Sequence, residues 1–344
     1  MRAPYEIDAG TADRIRLLQL FFVVQVICGH IAMIGLPPFA SLTFNEPYEY
    51  AIAIWRITTR FGAQGAYGFI FLSGYFLVPQ LHQIMRRKDH NALRNFLLRR
   101  FRRIYPVLLA ALFLTLVLDN AGIIWGHGET IYRSVAGYDA IEALTLSNFT
   151  GNLLSLQPTF SGSFGSNGPL WTLGYIVQFY AVAGGLAFMG IRYSAWAITG
   201  VATVVFVAMF LRPEWALLFL TWLGGGALRS ASIDAINGWP VVFIIGLLLF
   251  VVSNLVPAPV TILISAFAVA LMVSALARGG SAPRLLMPLR RLSDASYPLY
   301  AFHFPILMVT FVFIGSSPIL FVIFGLTVPV IIALFWQHIT AQIT

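Results

Sequence analysis

The chain has 344 residues, of which 59% are hydrophobic and only 10% charged, against about 25% charged in an ordinary soluble domain. That composition excludes a water-soluble enzyme, which needs a charged surface, and a disordered chain, which needs few apolar residues. One cysteine, Cys28, excludes a disulfide scaffold. What remains is an all-α polytopic membrane helix bundle. At about 20 residues per span, the length holds about ten transmembrane helices in one domain over 1–344.

A polar N-terminal segment (Arg2, Glu6, Asp8, Asp13, Arg14, Arg16) precedes an apolar run from Leu17 to about Leu36. This run is too long for a signal-peptide core and reads as the first span, stopped by Pro37 and Pro38. Residues 39–60 read as a polar, aromatic connector, and 64–81 as the second span. The segment 82–104 reads as a basic cytoplasmic loop: Arg86, Arg87, Lys88, Arg94, Arg99, Arg100, Arg102 and Arg103 face one acid, Asp89. The third span covers 105–126. An outer loop, 127–168, carries Glu129, Asp139 and Glu142 against Arg133 and ends Ser/Gly-rich. Further spans are expected at 169–190, 194–211, 215–229, 240–256 and 260–277. A second basic loop, 278–295, precedes the last two spans at 297–315 and 318–340. The pairs Gly184-Gly185 and the run Gly224 to Gly226 read as close helix packing.

Six spans separate the two basic loops, so both fall on the same side, together with the N-terminal segment. Of 21 basic residues, 17 then lie inside, as the enrichment of Lys and Arg in cytoplasmic loops requires. Removing the short 215–229 span would put 278–295 outside, so parity retains it and places both termini in the cytoplasm. The net charge of +8 is therefore read as a topological marker with membrane lipids as partners, not as a nucleic-acid surface. No internal repeat of the inverted-transporter kind is present.

Ionisable groups inside spans are costly and mark function. His30 lies deep in the first span. Gln19, eleven residues earlier, returns to within about 20° of its face, and Arg16 to within about 40°. This polar stripe must face protein or water. It reads either as a general base reached by a channel or as a buried histidine bonded to a neighbouring helix. His303 reads as an interhelical hydrogen-bonding group together with Tyr300, and Asp119 as interfacial. The 86–103 run reads either as a topogenic loop on anionic lipid or as a phosphate grip at the cytoplasmic mouth. No metal-ligand spacing, serine elbow, P-loop or dinucleotide fingerprint appears.

Five elements in chain order resemble the acyltransferase-3 family of bacterial inner-membrane acyltransferases. They are the stripe ending in His30, the Gly65–Tyr75 run, the Arg99–Pro106 run, Pro169-Leu170-Trp171-Thr172-Leu173 leading to Gln178-Phe179-Tyr180, and Ser296-Tyr297-Pro298-Leu299-Tyr300 leading to His303-Phe304-Pro305. The resemblance implies a multi-pass inner-membrane enzyme that moves an acyl group, most simply acetyl, from acyl-CoA to a hydroxyl of a cell-surface glycan or lipid-linked glycan, without a metal. It implies His30 as catalytic residue. It puts Arg16, Gln19, Arg99, Arg100 and Arg103 on the acyl-CoA, and Ser73, Trp171, Gln178, Tyr180, Tyr300 and His303 along the substrate path. Gln19, Tyr67 and Ile176-Val177 stand where the family usually carries charge. These departures keep two other expectations open: a transporter or flippase using the same path, and a non-catalytic member of the fold.

Overall fold

The computed structural model describes residues 9–134, 137–192, 194–231, 239–277 and 287–343. Of the sequence readings, Arg2, Glu6 and Asp8 and the basic residues Arg278 and Arg284 lie outside them. Every regular element among the described residues is helical. The helices are α1 (Ala9–Gly35), α2 (Pro47–Thr59), α3 (Gly62–Arg87), α4 (His90–Ile124), α5 (Glu129–Tyr132), α6 (Leu146–Leu153) and α7 (Trp171–Arg192). They continue as α8 (Ser194–Leu211), α9 (Pro213–Ser230), α10 (Trp239–Val252), α11 (Ala258–Leu276), α12 (Met287–Asp294), α13 (Ser296–Ile314) and α14 (Pro318–Ile343).

Each expected span coincides with one of these helices. Seven segments among the described residues are long and apolar enough to cross a membrane, while Thr199–Met209 and Trp239–Leu255 are shorter apolar helices. Large apolar side chains stand exposed along α10, among them Val241, Ile244, Ile245, Leu248 and Val252. A row of this kind is stable against lipid and unfavourable in water. The chain is thus an all-helical protein of the multi-pass membrane type.

The expected loops and connector all contain helix: α5 and α6 lie within 127–168, α12 lies within 278–295, and two other segments are largely helical. The basic segment 82–104 is not a loop. α3 runs on through Arg87, Lys88 turns the chain at a φ of 54°, and the Asp89 carboxylate accepts from the backbone N–H of Ala92 (2.8 Å) to start α4. Only Lys88 and Asp89 interrupt the helix because no glycine or proline occurs between Pro79 and Pro106. The connector 39–60 contains α2. Pro47 begins it, and the Glu49 carboxylate folds back to accept from the backbone N–H groups of Asn45 (2.9 Å) and Glu46 (3.1 Å) and from the Thr43 hydroxyl (3.1 Å). A capping box of this kind satisfies donors that a helix start leaves open.

The chain forms two compact units: residues 1–19, 66–104 and 175–290, and residues 20–65, 105–174 and 291–344. In the first, α10 and α11 pack along each other and α9 packs on both α8 and α11. α3 and α9 meet backbone to backbone, where a side chain on Gly225 would collide with the Phe71 carbonyl and one on Gly226 with Val78. Gly184 abuts Leu97, but a Cβ on Gly185 would meet open space, which corrects the close-packing reading for that residue. The buried Arg14 guanidinium closes the unit, donating to the Leu276 carbonyl (2.7 Å) and to Thr11 Oγ1 (2.7 Å).

In the second unit α13 packs along α14, and α1 approaches α2 and α3 through glycines. A Cβ on Gly29 would lie 2.9 Å from the Thr59 carbonyl oxygen, and one on Gly65 would lie 2.7 Å from that of Phe22. Small residues allow helix backbones this separation. Trp55 Nε1 adds a bond from α2 to the Cys28 carbonyl of α1 (3.1 Å).

Candidate functional site

The second unit holds His30 and His303, carried on α1 and α13. His30 Nδ1 and His303 Nε2 are 2.8 Å apart. The rings lie within 10° of one plane with centroids 5.1 Å apart, an edge-to-edge geometry set by a ring-nitrogen hydrogen bond. The other nitrogen of His303, Nδ1, is 2.7 Å from the Tyr300 carbonyl oxygen. A carbonyl only accepts, so His303 Nδ1 carries a proton and donates it there. In the neutral ring His303 Nε2 is then an acceptor, and the proton of the shared contact belongs to His30 Nδ1. His30 Nε2 is left with its lone pair. Of the two readings that the sequence left open, the bond to a neighbouring helix is present, and it leaves His30 Nε2 as the nitrogen without a proton.

His30 lines a cavity of about 600 Å³, walled by Val26, Gly29 and Met33 of α1, Arg56 and Thr59 of α2, and Gly62 at the start of α3, with Arg60 also at its edge. His303 is fully buried while His30 is partly exposed. The histidine pair is therefore anchored at its inner end and open at its outer one.

Tyr300 anchors the same helix. Its hydroxyl lies 2.7 Å from the Pro169 carbonyl and 2.8 Å from Thr172 Oγ1. Asn167 Nδ2 donates to Thr115 Oγ1 (3.0 Å) and to the Ala301 carbonyl (3.1 Å). Asp119, expected at the membrane interface, is buried within the protein. It accepts from the backbone N–H of Ser166 and from its hydroxyl, each at 2.7 Å. The end of the 127–168 segment is thus tied to α4 and α13 by polar contacts. Tyr138 donates to the Gly165 carbonyl (3.0 Å), and burial pushes its phenol up to about 12. Trp171 opens α7, half-buried.

The remaining candidates lie in the first unit. Ser73 Oγ is 2.9 Å from the Tyr180 hydroxyl and accepts from Trp222 Nε1 (3.3 Å). Gln178 Oε1 accepts from Trp215 Nε1 (2.9 Å). These bonds join α3 and α7 to α9. Arg99 and Arg100 share a turn of α4 and Arg103 lies on the next; Arg99 and Arg103 are exposed and Arg100 half-buried. The Arg100 guanidinium lies 5.4 Å over the Phe96 ring, and its buried Nε has no acceptor among the described residues. Arg16 pairs with Asp13 (3.5 Å), which also meets Arg290 (3.4 Å). Gln19 is half-buried on α1. Tyr67 and Ile176 are buried at 8% and 3% exposure. A carboxylate there needs a partner to offset desolvation, and an apolar side chain needs none. Among the described residues no group of three or more His, Cys, Asp or Glu is placed to hold a metal ion.

The sequence reading placed Arg56 in the connector without a site role and passed over Asn167. Arg56 was legible in part through the Glu46-Pro47 start and Glu49, a helix signature that moves 47–59 out of the connector class. Asn167 carries no local signal, because its partners lie 52 and 134 residues away.

No curated protein and no solved structure matches the chain. The model of the acyltransferase-3 family, described as an acyltransferase domain, matches residues 13–336. That span takes in both histidines, the cavity beside them and the arginines of α4, and the chain belongs to the acyltransferase-3 family.

Proposed function

We propose that this protein is an enzyme of the bacterial inner membrane that transfers an acyl group, acetyl in the simplest case, from cytoplasmic acyl-CoA to a hydroxyl of a cell-surface glycan or glycolipid. In this reading ten helices span the bilayer and both termini are cytoplasmic, as the side-sorting of basic residues favours. The observation that carries the chemistry is the hydrogen-bonded series from His30 through His303 to the Tyr300 carbonyl, at the wall of a cavity.

His30 Nε2 takes the proton of the acceptor hydroxyl as its oxygen attacks the thioester carbonyl carbon. The C–O bond forms, the C–S bond breaks, and the departing CoA sulfur takes the proton from His30. His303 holds the basic tautomer throughout and lends its Nε2 lone pair to the transient imidazolium. A positioned base of this kind contributes about 10²–10⁴-fold. The α4 arginines hold the CoA phosphates. Arg100 suits this role because its buried Nε–H has no acceptor among the described residues, and a phosphate oxygen would supply one. Ser73, Gln178 and Tyr180 line the donor's path with Gln19 and Arg16, and Trp171 and Tyr300 the acceptor's.

Inverted membrane vesicles given radiolabelled acetyl-CoA, followed by glycan analysis, test the reading. Label is expected in a glycan fraction and is expected to vanish in His30→Ala at unchanged protein level. Glycan movement that ignores acetyl-CoA would replace the enzyme with a transporter, and retained label in His30→Ala would remove His30 as the base.

A further inference from the structure

We infer that the cavity beside His30 takes an acceptor that carries a carboxylate or phosphate group, recognised by Arg56. This inference rests on the reading that the cavity receives the acceptor.

Arg56 is held like a built part of the wall. Its Nε donates to the Pro37 carbonyl, and its Nη2 donates to the carbonyls of Ala32 (2.8 Å) and Leu36. These three acceptors belong to the last turn of α1 and the two residues beyond it, where a helix leaves carbonyls unpaired. A guanidinium has five N–H donors in a rigid fork. Three are spent on the backbone, and the two on Nη1 have no acceptor among the described residues. The side chain therefore enters the cavity wall already immobilised, and little rotamer entropy remains to be lost on binding.

The rest of the lining has the same polarity. Arg60, one turn further along, also lines the cavity, and among the described residues no aspartate or glutamate does. The acid nearest in sequence, Glu49, is committed to the donors at the start of its own helix. Capping α1 accounts for Nε and Nη2. It does not account for the two Nη1 donors. A cationic acceptor is repelled here and a neutral hydroxyl leaves the charge unanswered, whereas a carboxylate or phosphate oxygen accepts a charge-assisted hydrogen bond from Nη1. A volume of about 600 Å³ admits a sugar bearing such a group.

The full chain in phosphatidylcholine nanodiscs, without acyl-CoA, can be titrated with glucuronic acid, glucose 6-phosphate and glucose by saturation-transfer NMR. Both anionic sugars are expected to bind at least about tenfold more tightly than glucose, with the difference shrinking as salt is raised. Arg56→Met is expected to bring them to the level of glucose. Because Arg56 also holds the end of α1, Arg60→Met is the second variant. It leaves the three backbone bonds in place and is expected to weaken the anionic sugars severalfold. Equal binding of glucose and glucuronic acid by the native protein overturns the inference, and so does unchanged selectivity in Arg60→Met. Repeating the titration in phosphatidylglycerol nanodiscs separates the sources of the anion. Unchanged glucuronic acid binding keeps the glycan, and its loss assigns the site to a lipid headgroup and overturns the inference. Selective binding of the anionic sugars by a protein that never acylates removes only the enzyme reading. Equal acylation of neutral and acidic glycans removes only this inference.

Discussion

At His30 the proposed chemistry turns on which ring nitrogen carries a proton. The Tyr300 carbonyl settles this through His303, because a carbonyl accepts and never donates. His303 is thereby a positioning residue for His30. Replacing it with leucine removes the acceptor for His30 Nδ1–H and frees the ring to turn. We expect His303→Leu to lower kcat at least about tenfold with KM for both substrates unchanged. His303→Gln restores an acceptor oxygen and is expected to regain part of that loss, and equal kcat in the two variants would remove the positioning role. One residue earlier, Gly29 has no room for a side chain, since a Cβ there would lie 2.9 Å from the Thr59 carbonyl. Gly29→Val is expected to cost about 1–3 kcal/mol through overpacking, read as a lowered thermal unfolding midpoint in detergent.

The elements around the site are held by polar groups that would be orphans without one another. Asp119 of α4 answers two donors of Ser166. Asp119→Leu buries both unpaired, at about 1–3 kcal/mol each, so the variant should accumulate poorly in the membrane, measured against native protein by quantitative blotting. Closer to solvent, Arg133 bridges Glu129 (3.0 Å) and Asp139. The backbone N–H of Glu142 is the largest cause holding the Asp139 carboxyl below its ordinary value of 3.8, with Arg133 and the N–H of Ile141 adding to it. A carboxyl depressed on folding contributes stability that is present above its unfolded value and lost as pH falls through the folded one. The 129–142 turn should therefore be insensitive between about pH 5 and 8 and loosen below about pH 4. Hydrogen exchange across 129–142, corrected for intrinsic rates, reads this directly. Protection that persists undiminished to the acid limit would dismiss the contribution of Asp139.

On the scale of the whole molecule, topology is the testable quantity. The proposed ten spans would put Lys88 and the C-terminus in the cytoplasm and Gly137 outside. Fluorescent-protein fusions after residues 88 and 344 should glow, and an alkaline-phosphatase fusion after residue 137 should be active. The reverse pattern would overturn the orientation. Seven segments meet the length and apolarity of a span outright. α8, α9 and α10 are the helices on which the larger number depends, and each carries one or more large apolar side chains exposed, such as Phe206, Leu220 and Ile244.

The class of the protein and the positions of its long apolar helices were legible from residue order, because apolar runs and their proline stops are local properties of a chain in a bilayer, and its family was legible from five short motifs in chain order. His30 stood out for the same reason: an imidazole within an apolar run is visible without knowing its neighbours. The helical state of 86–103 was obscured because a dense charge run resembles a loop until the absence of glycine and proline is weighed. What only the tertiary structure decided was pairing at long range. His30 and His303 are 273 residues apart, and the clamp of Arg56 on the end of α1 joins two elements across a turn. No local pattern encodes either contact. The reason is physical: in a span almost every helical face looks apolar, and the partner of a buried polar group is chosen by which backbones the glycines allow to approach.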